Sequence, residues 1–157
     1  MGLALSELGG GAKAWSAENM GDKIMGKITL VERRQQRSLD EKGKLETWDD
    51  GSPRMLTYIE LQTDEHIDDD DDGIRSLYAK GGRNHEAAQG SGTSMEVAIA
   101  EAVKAAGCNS IDEGATLAVQ HTGIAKVAIR GHNPAKLYKA QYKAPVSSVN
   151  ADDLFNS

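Results

Sequence analysis

The chain has 157 residues, of which 39% are apolar and 27% charged, with a formal charge of −6, and this predicts one globular domain with tails. One cysteine, Cys108, excludes an internal disulfide and a thiolate metal cluster, and no apolar run approaches the roughly 20 residues of a membrane span. Because no basic segment precedes the first apolar run, we also expect no secretory signal, and hence a reduced, cytoplasmic protein.

The negative charge is concentrated in two places. Seven of the 24 acids lie within residues 64–72, and Asp152 and Asp153 lie near the end, so the rest has 15 acids against 18 bases, about +3. No acid occurs in the range 114–151, which carries five cations: Lys126, Arg130, Lys136, Lys139 and Lys143. Since the local field decides which surface attracts a polyanion, this C-terminal region is predicted to face one.

The N-terminal part is predicted to be an arm followed by a long strand. Residues 1–20 are rich in glycine and alanine, which is typical of a flexible arm. Residues 22–38 are predicted to form a strand, because Ile24 and Ile28 alternate with polar residues. Gly26 inside this strand indicates a bulge or a sharp bend, as at the corner of a small barrel.

Two more strands are predicted over residues 55–63 and 73–80. The polar connection 39–53 precedes the first of them. The aspartate run 68–72 separates the two, and self-repulsion predicts that it is a solvated loop.

One helix follows, and then two last strands. Thr93 and Glu96 have the spacing of a capping box, which predicts Thr93 as the N-cap, and Gly107 fits the position just past the helix end. The last strands are predicted over residues 116–120 and 136–143. The folded domain is therefore assigned to residues 21–146, and residues 147–157 are predicted to be a disordered acidic tail.

The order of three strands, a helix and two strands predicts a mainly β fold. It fits a five-stranded oligonucleotide-binding (OB) barrel with one helix between the third and fourth strands. The alternative is a sheet with the helix packed on one face.

Three segments carry a resemblance to a known family. They are residues 21–28, residues 71–78 and residues 133–142, the last of which is similar to a Pro-Lys-Leu-Tyr-x-Ala-x-Tyr pattern. In this order they resemble the OB-fold single-stranded DNA-binding proteins of tailed phages, particularly those of actinobacterial phages. The resemblance implies sequence-independent binding of single-stranded DNA in phage DNA replication, recombination or repair, within the bacterial host cell.

The chain also ends in a motif with a known counterpart. Residues Asp152, Asp153, Leu154 and Phe155 are similar to the acidic tip of bacterial single-stranded DNA-binding proteins, which recruits replication and repair proteins. The resemblance implies that this tail binds such partners, although an ordinary solvated tail is an open alternative. Oligomeric state stays open, with a homodimer as one alternative.

Aromatic rings are the first group of candidate DNA contacts, because bases stack on them. In OB barrels the second and third strands and the flanking loops bind the ligand. This predicts contacts by Tyr58, Tyr78 and Trp48, the last lying in the loop after the first strand. The alternatives are that Tyr58 or Tyr78 belongs to the core and that Trp48 covers the barrel end. Tyr138 and Tyr142 are assigned to barrel packing, with base stacking as the alternative.

Cations along the phosphates are the second group, since they add salt-dependent affinity by releasing counterions. Arg33, Arg34 and Arg37 are candidates where the first strand enters its loop, although a solvated rim has the same pattern. The other candidate cations are Lys27, Arg75, Lys80, Lys126, Arg130, Lys136, Lys139 and Lys143.

No constellation of catalytic residues or metal ligands is found. Asp68, Asp70 and Asp72 match the first half of a calcium loop, but Ala79 stands where a bidentate Glu is needed. The four histidines show no ligand spacing. We therefore expect a binding protein without enzymatic activity, metal or cofactor. The alternatives are an OB-fold protein-interaction module that binds a host or replication protein, and a metal-dependent nuclease using the aspartates.

Overall fold

Strands account for most of the regular structure of this protein. The computed structural model describes residues 12–37, 44–81, 86–126 and 134–146. Within these ranges the chain forms seven strands and one helix, in the order β1 (Lys13–Ala14), β2 (Lys23–Gln35), β3 (Met55–Gln62), β4 (Ile74–Lys80), β5 (Ala87–Gly90), α1 (Met95–Ala105), β6 (Thr116–Ala125) and β7 (Lys136–Lys143).

Strand β2 is the centre of the sheet, because its two halves pair with different neighbours. Residues 23–27 pair antiparallel with β6, and residues 27–35 pair antiparallel with β3. The strand order is β1-β4-β3-β2-β6-β5, and β7 pairs antiparallel with β6. Only the short β1–β4 ladder among these is parallel.

The two halves of β2 meet at a bend. A Cβ atom on Gly26 would collide with the carbonyl oxygen of Gln62 in β3, so the two strands approach too closely there for any side chain. The register with β3 shifts between Ile28 and Leu30, which marks a bulge. The bulge predicted at Gly26 therefore lies between Ile28 and Leu30. A glycine is required at position 26 because β3 passes too close for a side chain.

The core lies on one face of this sheet. Ile28, Ile59, Leu61 and Leu117 are 1% exposed or less, and burying each such side chain stabilises the fold by roughly 1.5–3 kcal/mol. Helix α1 lies chiefly against β7 and also contacts β4, and it adds its buried face to this cluster.

The helix begins one residue later than the capping box predicts. The N-cap is Ser94, whose hydroxyl accepts a 3.4 Å hydrogen bond from the Val97 amide. Thr93, the predicted N-cap, instead exchanges two backbone hydrogen bonds with Tyr138, of 3.0 and 2.7 Å. Strand pairing thus competes successfully for Thr93, which leaves the adjacent hydroxyl to cap the helix.

The helix ends as predicted at Gly107, which has a φ of +77°. Its amide donates to the Lys104 carbonyl, and the Cys108 amide donates to the Val103 carbonyl, which is the Schellman pattern. No helix within the described ranges is both long and apolar enough to cross a bilayer.

The prediction of a mainly β fold with one helix is confirmed for the described residues, whereas a closed five-stranded barrel is not. The described ranges contain seven strands and not five, and the two additional strands are β1 and β5, which the sequence did not predict. In the part of the chain that the structure describes, β4 pairs only with β3 and β1, while β7 pairs with β6 and, through an isolated bridge at Tyr138, with Thr93. No ladder joins β4 to β7, so the sheet stays open between them.

The segment just after residue 11 lies beside this opening. Strand β1 pairs with β4, and the Trp15 amide donates to the Ser76 carbonyl at 3.0 Å. The Lys136 ammonium of β7 donates to the Ser16 carbonyl at 2.9 Å. Residues 12–16, within the segment 1–20 that was predicted to be a flexible arm, therefore contact β4 and β7, while residues 1–11 lie outside the described residues.

Candidate nucleic-acid interface

A cleft of about 280 Å³ lies where the sheet is open, between the end of β4 and the start of β7. We call it the seam cleft, and it is lined by Tyr78, Lys80, Gly81, Ser94, Met95, Ala135, Lys136 and Tyr138. It brings together three residues that the sequence predicted as nucleic-acid contacts: Tyr78, Lys80 and Lys136.

Strand alternation positions the β4 side of the cleft. Leu77 and Ala79 point into the core and are buried, so Tyr78 and Lys80 point outward. Tyr78 is 48% exposed, and its ring packs edge-on against that of Tyr58, with 5.1 Å between ring centres. Tyr78 is therefore held in place while much of its ring stays open to a ligand.

On the β7 side, Lys136 and Tyr138 share a face of the strand. Lys136 is exposed, and its only described partner is the Ser16 carbonyl, so its charge is not neutralised there. Tyr138 is half-buried, with its ring centre 6.2 Å from that of Trp15. Burial raises the pKa of Tyr138, so its hydroxyl is neutral at physiological pH.

The described residues that line the cleft include two lysines and no carboxylate. Glu96 lies near its rim beside Gly81, but it forms a 3.2 Å ion pair with Arg33. Arg33 also donates a 2.7 Å hydrogen bond to Thr57, which holds it on α1 and β3. Among the described residues no carboxylate pairs with Lys80, so the cleft can bind an anionic group beside an aromatic ring.

The prediction that Tyr58 stacks on a base needs correction. Its ring lies on the sheet face opposite the core, as the alternation indicated, but it is only 2% exposed. The Arg34 guanidinium lies 3.6 Å from the ring centre, and Tyr78 covers another side. Burial, followed by the hydrogen bond to Glu60, raises the pKa of Tyr58 to about 12. Tyr58 therefore supports Tyr78 and has no free face for a base.

Trp48 lies at the turn of a small hairpin that the sequence did not predict. Its amide donates to the Ser52 carbonyl at 2.8 Å, and Gly51 turns the chain with a φ of +87°. The ring is half exposed, and the guanidinium of Arg54 lies 4.3 Å from its centre. Trp48 is not part of the buried core cluster, so the structure favours an exposed ring over a barrel lid.

Arg75 is the second candidate that needs correction. Its side chain is 6% exposed, and it donates to Asp71 with hydrogen bonds of 2.9 and 2.6 Å. A further ion pair with Glu65 has a length of 3.2 Å. Because its guanidinium is enclosed by carboxylates, Arg75 stabilises the loop before β4 and cannot reach a phosphate.

The aspartate run is organised by its own hydrogen bonds. Asp71 accepts from Arg75 and from the amides of Gly73 and Ile67, each amide at 2.9 Å. These bonds, with Arg75 as the strongest, hold the pKa of Asp71 well below its usual range. Across the described ranges no three carboxylate, imidazole or thiol groups converge as in a metal site.

The C-terminal cations do not form one group. Lys136 faces the seam cleft, whereas Lys139 and Lys143 lie on the opposite face of β7. Lys126 forms a 2.8 Å ion pair with Glu86. The described cations of the acid-free C-terminal region are therefore divided between different surfaces.

The second surface combines β7 with the first half of β2. Lys139 and Lys143 lie two strands away from Lys23 and Lys27, across β6. We call this surface the four-lysine face, and Met25 lies within it, 66% exposed. Sequence reasoning selected Lys27 but missed Lys23 and Met25, although their alternation with Ile24 already placed them together.

The remaining candidates lie at or beyond the limits of the described residues. Arg37 is exposed next to a backbone bridge with Leu45. Arg130 and the tail residues Asp152, Asp153, Leu154 and Phe155 lie outside the described ranges.

Tyr142 is buried in the core and Tyr138 packs against it, as the sequence predicted.

Comparison with known proteins gives no further guidance. No family model, no curated protein and no solved structure matches this chain.

Proposed function

We propose that this protein binds single-stranded DNA without sequence preference and acts in phage DNA replication, recombination or repair. The observation that carries the proposal is Tyr78, a half-exposed ring between two lysines that no described carboxylate neutralises. A base stacks on Tyr78 while neighbouring phosphates contact Lys80 and Lys136. Neither contact reads the identity of the base, so the binding is independent of sequence.

The proposal includes an OB-type architecture for the domain. One long, bent strand, β2, is shared between β3 and β6, and a helix lies between β4 and β6 in the chain, next to the open side of the sheet. These features support a five-stranded core of β2, β3, β4, β6 and β7, to which β1 and β5 are additions. Single-stranded DNA would cross this core over β4, where Tyr78 lies.

The proposed function includes no catalytic step. The proposed partners are single-stranded DNA and other replication or recombination proteins. The acidic tail, with Asp152, Asp153, Leu154 and Phe155, would recruit those proteins. The resemblance of the tail to acidic tips supports this part of the proposal.

The test compares Tyr78→Ala with Tyr78→Phe in binding to a fluorescent oligo-dT. A base–ring stack is worth about 1–3 kcal/mol, so Tyr78→Ala should weaken binding roughly 5- to 150-fold, while Tyr78→Phe keeps the ring and binds as the wild type does. Circular dichroism shows whether both variants are folded. Equal affinity of the two variants, or a preference of the wild type for duplex DNA, would contradict the proposal.

One observation favours the alternative, a protein-interaction module. A groove of about 620 Å³ runs along α1 and is lined largely by apolar residues, among them Val97, Ala100 and Ile111. If the groove binds a partner, a pull-down from host lysate should survive nuclease treatment and be lost with Val97→Glu. A complex that disappears with nuclease instead supports DNA binding.

A further inference from the structure

The outer side of β2, β6 and β7 carries nine side chains in three rows across the strands. The register fixes the rows as Lys23–Gln120–Lys139, Met25–Ala118–Gln141 and Lys27–Thr116–Lys143. A lysine therefore stands at each corner of the four-lysine face. None of the nine residues is acidic.

The dimensions of this face follow from sheet geometry. Neighbouring strands lie about 4.8 Å apart, so Lys23 and Lys139 are separated by roughly 10 Å at their backbones. Four residues along a strand span about 13 Å, which separates Lys23 from Lys27. Between the corners lie two neutral amides, Gln141 and Gln120, of which Gln120 donates to the Gly21 carbonyl at 3.3 Å.

The charges on this face are unbalanced. In the part of the chain that the structure describes, none of the four lysines forms an ion pair with a carboxylate. Some cations outside this face are paired, as Arg33 is with Glu96 and Lys126 is with Glu86. Like charges concentrated on one face repel each other, and a polyanion lying across them relieves that repulsion.

We propose that the four-lysine face binds the phosphodiester backbone of a nucleic-acid strand, as a contact surface separate from the seam cleft. The inference rests on the proposed function for the identity of the ligand. Because the face has no exposed aromatic ring, it adds affinity through counterion release and not through base stacking. Strand β7 carries Lys136 on one side and Lys139 on the other, so a DNA strand that crosses β7 passes from the cleft to this face.

The test uses double variants that all remove two charges. The variant with Lys23→Gln and Lys139→Gln removes both charges of one row of the face. The variant with Lys27→Gln and Lys143→Gln removes both charges of another row. The matched control is Lys13→Gln with Lys104→Gln, two exposed lysines on β1 and α1. Affinity is measured against salt for oligo-dT and for an abasic deoxyribose-phosphate oligomer, which has the backbone without bases.

Each lysine that neutralises a phosphate of a single strand contributes about 0.7 to the slope of log affinity against log salt. Each double variant of the face should therefore lower the slope by about 1.4 with both oligomers, while the control leaves it unchanged. Slopes of both face variants equal to that of the control would overturn the inference, as would a wild type that binds no abasic oligomer at low salt.

The same titrations separate this inference from the proposed function. Tyr78→Ala should weaken binding of oligo-dT and leave the abasic oligomer unaffected. If Tyr78→Ala has no effect on oligo-dT but the lysine variants lower both slopes, stacking in the cleft is refuted and the four-lysine face is supported. If Tyr78→Ala weakens binding of oligo-dT but the lysine variants leave both slopes unchanged, stacking in the seam cleft is supported and phosphate binding by the four-lysine face is refuted.

Discussion

The guanidinium of Arg34 lies 3.6 Å from the centre of the Tyr58 ring, on the face of the sheet away from the core. Arg34 is held in this position by Glu32, two residues earlier on β2, with hydrogen bonds of 2.9 and 2.6 Å. The contact helps to cover the Tyr58 ring, whereas the Arg34 side chain is still 43% exposed. It also fixes Tyr58, on which Tyr78 rests.

The first prediction concerns the energy of this contact. In a double-mutant cycle with Arg34→Met and Tyr58→Leu, the coupling energy should be about 0.5–1 kcal/mol, because a partly exposed cation over a ring is worth that much. The measurement is the free energy of unfolding from urea denaturation of the four proteins. Additive effects, with a coupling below about 0.3 kcal/mol, would show that the two side chains do not stabilise each other.

The second prediction concerns the bend of β2. Gly26→Ala places a methyl group against the backbone of Gln62, which has no freedom to move aside, so we expect a loss of about 1–3 kcal/mol in the free energy of unfolding. Gly81→Ala is the matched control, since its methyl group would meet only the flexible Glu96 side chain at 3.5 Å. Its effect should stay within about 0.5 kcal/mol. Equal stability of the two variants would contradict the close strand contact.

The third prediction concerns acid stability. The pKa of Asp71 is lowered in the folded state, chiefly by Arg75, so its contribution to stability is complete above the unfolded-state pKa of about 3.9 and decreases as the pH falls below it. Asp71→Asn should lower the melting temperature at pH 7. Between pH 4 and pH 2 the melting temperature of the variant should fall less steeply than that of the wild type. Parallel curves for the two proteins would show that Asp71 is not stabilised by folding.

The fourth prediction separates the two tryptophans. Trp48 is half exposed, whereas Trp15 is partly buried and packs against the core. The Trp15→Phe protein, whose emission comes from Trp48, should be quenched more strongly by acrylamide than the Trp48→Phe protein. If Trp48 stacks on a base, its emission should also fall on addition of poly-dT. Unchanged Trp48 emission at saturating poly-dT would exclude that role.

Much of the secondary structure was predictable because its causes are local. Alternation of Ile24 and Ile28 with lysines located β2, and Gly107 located the end of α1. The N-cap was misassigned because Thr93 pairs with Tyr138, a residue 45 positions away that no local pattern reveals. Strand β1 was missed for a related reason, since its two residues are ordered only by pairing with β4.

The candidate site was predicted only in part. Alternation showed that Tyr58 and Tyr78 point away from the core, but the difference between a covered ring and an open one depends on Arg34. The sequence also could not show that Arg75 is unavailable to DNA. In the fold its guanidinium forms ion pairs with Asp71 and Glu65.

The mainly β character, the single described helix and the acid-free C-terminal region follow from the amino-acid sequence alone, because alternation, capping and composition are properties of neighbouring residues. Which cations share a surface follows from the fold. That depends on which strands pair and in what register, and it places Lys136 beside Tyr78 in the seam cleft while Lys139 joins Lys23 on the other side of the sheet.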